Sequence, residues 1–106
     1  MIQNHPPPPR LFLVTFDVPG ARGGDPRYHR VDRYLQSIGA MYKPAKQVRL
    51  IVTDAPPGVI EGGIRHRIGA GGGVMVLRVG AFSSVDLPDP GARRRVRSLI
   101  RRHGRH

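Results

Sequence analysis

The chain has no cysteine and no tryptophan among its 106 residues. Without thiols, a disulfide framework, a thiolate metal site and thiol redox chemistry are all excluded. Acidic residues are scarce: six aspartates and one glutamate stand against sixteen arginines and two lysines, for a formal charge of +11 at pH 7. Long apolar runs are missing too, since nothing approaches the roughly 20 residues a membrane span requires. The opening "MIQNHPPPPR" lacks the apolar centre of a signal peptide. These absences lead us to expect a cytoplasmic protein with no membrane partner.

An excess of fixed positive charge favours polyanions, because each phosphate neutralised releases counterions. RNA or DNA is therefore the expected partner, although an arginine-rich surface also serves solubility alone. At 106 residues the chain makes one domain, near the size at which a partner subunit often helps to complete a core.

Pro6 to Pro9 favour an extended polyproline conformation, so residues 1–9 are expected to be a disordered arm. "LFLVTF", Leu11 to Phe16, is an apolar and β-branched run that suits a strand covered on both faces, and Asp17 ends it. After the loop "PGARGGDP", Asp25 and Pro26 supply an N-cap and a first-turn proline. Tyr28, Val31, Leu35 and Ile38 then recur at helical steps, and Gly39 supplies the C-cap. Tyr28 and Tyr34 suit the core better than base stacking.

"AMYK" and "QVRLIVT" read as two strand pieces bent apart at Pro44, with Val48, Leu50 and Val52 on one face. Pro57 opens a second helix carrying Val59, Ile60, Ile64 and Ile68, weakened by Gly62 and Gly63. "GAGGG" reads as a flexible turn into the strand "VMVLRVG". The order is βαββαβ, which predicts an α+β, ferredoxin-like fold over residues 10–82: a four-stranded antiparallel sheet with two helices on one face. Residues 83–106 follow as a linker and an arginine-rich amphipathic helix. Asp89 is its N-cap and Val96, Leu99 and Ile100 its apolar stripe; it is expected to dock on its own domain or a partner subunit while presenting arginines to phosphates, the alternatives being a membrane-surface helix, a solvated tail or a helix that docks on an acidic protein partner.

Few residues invite chemistry. The glycine run follows a helix where a phosphate-binding loop precedes one, and no Gly-Lys-Ser/Thr pair exists. The five histidines lack zinc-ligand spacing, and no serine sits in a nucleophile elbow. Asp17 remains, at a strand end before a loop that carries Arg22. A carboxylate there can bind Mg²⁺ or cap the loop through backbone amides. Candidate phosphate contacts are Arg22 and, on the last helix, Arg93, Arg94, Arg95, Arg97, Arg101 and Arg102.

"LFLVTFDV", the helix ending in "YLQSIGA", the split pair "MYKPAKQVRLIVT" and the closing "VMVLRVG" together resemble the small ferredoxin-like family of the second CRISPR-associated protein. Its stand-alone SinR-family members, named as endoribonuclease-like, are the nearest likeness. The resemblance spans about residues 10–82. It implies a homodimer in which Asp17 faces its symmetry mate and holds one Mg²⁺, acting as a metal-dependent endonuclease on RNA or DNA. It equally implies the family's other role, a non-catalytic DNA-binding scaffold in spacer acquisition. The fold does not choose between them.

Overall fold

The apolar run at the start of the chain becomes strand β1 (Arg10–Phe16). In the computed structural model, which describes residues 8–45 and 47–105, α1 (Pro26–Ile38), β2 (Ala40–Ala45), β3 (Val48–Thr53), α2 (Pro57–Ile68), β4 (Val74–Arg78) and α3 (Pro90–His103) follow. The proline-rich arm expected over residues 1–9 lies outside the described residues except for Pro8 and Pro9, which are exposed. The strands form one antiparallel sheet in the order β2-β3-β1-β4. An interior position for β1 is what its nearly unbroken apolar run requires.

Alternation along the strands assigns each side chain to a face. Phe12, Val14 and Phe16 join Ile51 of β3 under Val31 and Leu35 of α1 and Ile60, Ile64 and Ile68 of α2. Leu11 and Leu50 turn the other way, and Val96 and Ile100 of α3 cover them. The fold is α+β, with a helix pair on one face of the sheet and a third helix on the other. Beyond α3 the chain returns beside residue 80, where the Arg105 amide donates to the Val79 carbonyl at 3.0 Å.

Local chemistry places the helix ends. The Asp25 carboxylate accepts from the Arg27 amide at 2.9 Å and Asp89 from the Ala92 amide at 3.1 Å, each cap worth about 1 kcal/mol. Pro44 stands in the edge strand β2, where the register shifts between Tyr42 and Ala45, because its missing N–H interrupts the ladder. Lys46, in the bend expected between the two strands, lies outside the described residues.

Two glycines mark close approaches. A Cβ at Gly63 would overlap the Tyr34 ring of α1, so a residue costing α2 about 1 kcal/mol in helix propensity is what lets the two helices touch. The Tyr34 hydroxyl then donates to the Val59 carbonyl at 3.1 Å, and the Arg67 guanidinium lies 4.2 Å from the ring centroid. Gly72 is buried, and a Cβ there would overlap the Asp17 carbonyl and the Ile68 side chain. The "GAGGG" segment is a turn, as expected, and Gly72 within it is packed against the end of β1. Val59, expected on the apolar face of α2, is 54% exposed, because it sits about 100° around the helix from the stripe of Ile60, Ile64 and Ile68.

Arg49 is among the largest fully buried side chains, at 1% exposure. Its Nε donates to Asp32 Oδ1 at 2.7 Å and its Nη2 to Oδ2 at 3.3 Å, while the guanidinium stands 5.1 Å from the Phe16 ring centroid. The pair ties β3 to α1 across the core. Asp32→Ala, which removes the carboxylate and leaves the charge buried, is expected to lower the unfolding free energy by about 3 kcal/mol or more in chemical denaturation. A loss below about 1 kcal/mol would show that the pair behaves as a surface bridge.

Candidate nucleic-acid interface

Asp17 follows the last residue of β1, and its amide donates to the Gly73 carbonyl at 2.9 Å. The side chain is exposed, and its carboxylate has no hydrogen-bond or ion-pair partner among the described residues. It does not cap the loop. Continuing the alternation of β1 puts it on the α3 side of the sheet, at a hollow of about 380 Å³ lined also by Thr15, Gln47, Val48 and Met75. α3 leaves this part of the face uncovered: Met75 is 55% exposed and Leu77 53%.

Among the described residues there is no group of three or more histidine, aspartate or glutamate side chains that could hold a metal ion. One copy of the chain offers Mg²⁺ a single carboxylate here. The other oxygen ligands a hard cation needs would have to come from a second copy, a substrate phosphate or water.

Arg22 does not join Asp17. It lines a separate cleft of about 500 Å³ with Asp25, Tyr28, His29, Asp32, Lys43 and Arg49; of the two hollows' linings only Gln47 is shared. Arg22 and Asp17 thus line different hollows. The "ARGGDP" loop turns away along the N-terminus of α1, toward the β2–β3 connection.

The arginines of α3 divide into two sets. Arg93 donates to the Leu87 carbonyl at 3.1 Å and Arg97 to the Val85 carbonyl at 3.3 Å, so both fasten the linker to the helix. Arg95 lies 5.6 Å from the Tyr42 ring centroid and helps seat α3 on the sheet. Arg94, Arg101 and Arg102 are exposed, with no hydrogen bond or ion pair among the described residues. These three are the ones free to meet phosphates in full.

A second basic group was not visible in the sequence. Arg10, Arg78 and Arg105 come from the start of β1, the end of β4 and the segment after α3, and among the described residues none of them has an acidic partner. The Arg78 guanidinium is held below its ordinary value, first by desolvation and then by the charges of Arg10 and Arg105. It also stands 5.9 Å from the Phe12 ring centroid. Strand pairing and the Gly80–Arg105 bridge bring the three together, so no local motif signals them.

At the other end of the molecule, Arg27 holds Asp25 through Nε and Nη2, at 3.1 and 2.8 Å. These bonds and the Arg27 amide lower the carboxyl from its ordinary 3.8 to about 2. A carboxyl depressed on folding stabilises fully above its unfolded value and loses that contribution as pH falls through the folded one. Titration of the Asp25 carboxyl by NMR is accordingly expected to show a midpoint near 2, and Arg27→Gln should move it back toward the ordinary value; an unmoved midpoint would remove Arg27 as the cause. No protein-family model, curated protein or solved structure matches the chain.

Proposed function

We propose that the protein binds nucleic acid through the exposed arginines of α3, with a second arginine group at the start of β1 and the end of β4, on a ferredoxin-like domain. The strand order, which read from the β4 edge is 4-1-3-2 with α1 and α2 on one face, supports that fold assignment. The observation carrying the function is that, among the described residues, two groups of arginines have no acidic partner: Arg94, Arg101 and Arg102 stand exposed on α3, and Arg10, Arg78 and Arg105 crowd together where β1 begins and β4 ends. Like charges held close repel unless a polyanion neutralises them. Among the described residues no helix is long and apolar enough to cross a membrane, and a cytoplasmic location belongs to the same reading.

Truncating the last helix is a poor test, because it uncovers Leu11 and Leu50. The combined substitution of Arg94, Arg101 and Arg102 by glutamine keeps the fold. It is expected to weaken binding to any sequence and to reduce the slope of log affinity against log salt by about 2 to 3. Affinity that ignores salt would overturn the reading and favour an acidic protein as the partner of α3.

One further observation favours a second reading. Asp17 is, among the described residues, a partnerless carboxylate at a hollow it shares with the exposed Met75, with exposed Leu77 further along the same face of β4, the arrangement expected where two copies stack their sheets about a twofold axis. Paired Asp17 carboxylates would then hold a Mg²⁺ ion, whose chemistry when bound is Lewis-acid activation of a phosphate, and the homodimer would be an endonuclease on RNA or DNA. Asp17→Asn is expected to abolish magnesium-dependent cleavage with binding and melting temperature unchanged. Cleavage that survives would take Asp17 out of the chemistry, and nucleic-acid binding without products would leave a scaffold of the CRISPR-adaptation kind.

A further inference from the structure

Phe82 is 92% exposed, an unusual position for a phenylalanine in a chain with only six aromatic residues. It is not on a loose end. Gly80 to Ser83 form a tight turn in which the Gly80 carbonyl accepts from the Ser83 amide at 3.2 Å and from the Ser83 hydroxyl at 2.7 Å. The Ala81 amide is bonded to the Arg105 carbonyl, which pins the turn to the end of the chain. The ring is therefore held outward by a braced backbone.

Beside the ring lies a hollow of about 300 Å³ lined by Ala81, Phe82, Ser83, Arg97, Ile100 and Arg101. Ala81 and Ile100 are its apolar lining, and Arg97 and Arg101, four residues apart on one face of α3, are its cationic walls. Arg97 gives one N–H to the Val85 carbonyl, which leaves most of its five donors available. An aromatic face beside arginines is the combination that holds an unstacked base and the phosphate next to it. A base inside a duplex has no free face to offer. A second copy of the chain fits poorly, because an isologous contact here would set Arg97 and Arg101 against their own mates.

Resting on the nucleic-acid reading above, we infer that Phe82 is a stacking platform for an unpaired base, flanked by phosphate contacts from Arg97 and Arg101, and that this surface takes single strands in preference to duplex. Stacking does not read the 2′-hydroxyl, so single-stranded DNA and RNA should both engage it.

The test uses the full chain carrying Phe82→Trp. Since the natural sequence has no tryptophan, its emission reports this position alone. Oligo(dT) and oligo(U) are expected to quench it saturably and a blunt duplex of equal length far less. Phe82→Ala should weaken single-strand binding about tenfold, with a smaller loss for duplex. Single strands that bind without quenching, or an equal loss for both forms, would overturn the inference and leave the nucleic-acid reading standing. Quenching by only one of the two oligomers would replace the stacking platform with a sugar-reading site. Failure of both forms to bind in a salt-sensitive way would overturn both readings. An emission shift that follows protein concentration alone would assign the turn to contact between copies, and the inference would fall.

Discussion

Everything in this fold depends on β1, an interior strand whose apolar side chains feed the core on both faces of the sheet. Its neighbours β3 and β4 satisfy the backbone on both edges, Phe12, Val14 and Phe16 lie under α1 and α2, and Leu11 lies under α3. Each layer thus buries its apolar stripe against the same strand, which is how a short chain builds a three-layer core. The last helix belongs to that arrangement. Its arginines are presented to solvent because Ala92, Val96 and Ile100 are turned inward.

The shortage of acids then shapes the surface. Among the described residues, three of the sixteen arginines stand in ion pairs, with Asp25, Asp32 and Glu61. A few others are used internally: Arg93 and Arg97 on linker carbonyls, Arg95 and Arg67 over tyrosine rings. What remains is a basic surface with little negative charge near it, continuous in sequence only along α3. The buried Arg49–Asp32 pair shows the opposite use of the same residue type, a cation enclosed because its carboxylate and the Phe16 ring are supplied on the spot.

Local signals were readable wherever the physics was local. Asp25 and Asp89 announce helix starts because a short carboxylate reaches its own first-turn amides, and the spacing of Val31 and Leu35 names the buried face of α1. Pro44 announces an irregular edge because it lacks a donor. Gly63 and Gly72 were only partly legible for the same reason: propensity assigns them to a weak helix and a flexible turn, whereas their purpose lies in Tyr34 and in the Asp17 carbonyl, far away in sequence. Val59 shows the limit of spacing, since a residue next to a buried stripe can still face water.

The sequence by itself determined the order of elements, the charge and the two capped helix starts, because each rests on residues close together in the chain. Tertiary structure alone decided which arginines are free. It put Arg22 and Asp17 at different hollows, gathered Arg10, Arg78 and Arg105 through strand pairing, and set Phe82 beside Arg97 and Arg101 on a braced turn. It also decided that the carboxylate ending β1 stands without a partner beside an uncovered stretch of sheet. Those outcomes depend on how the strands pair and on which face α3 covers, and contacts between distant residues carry no local pattern for a sequence to show.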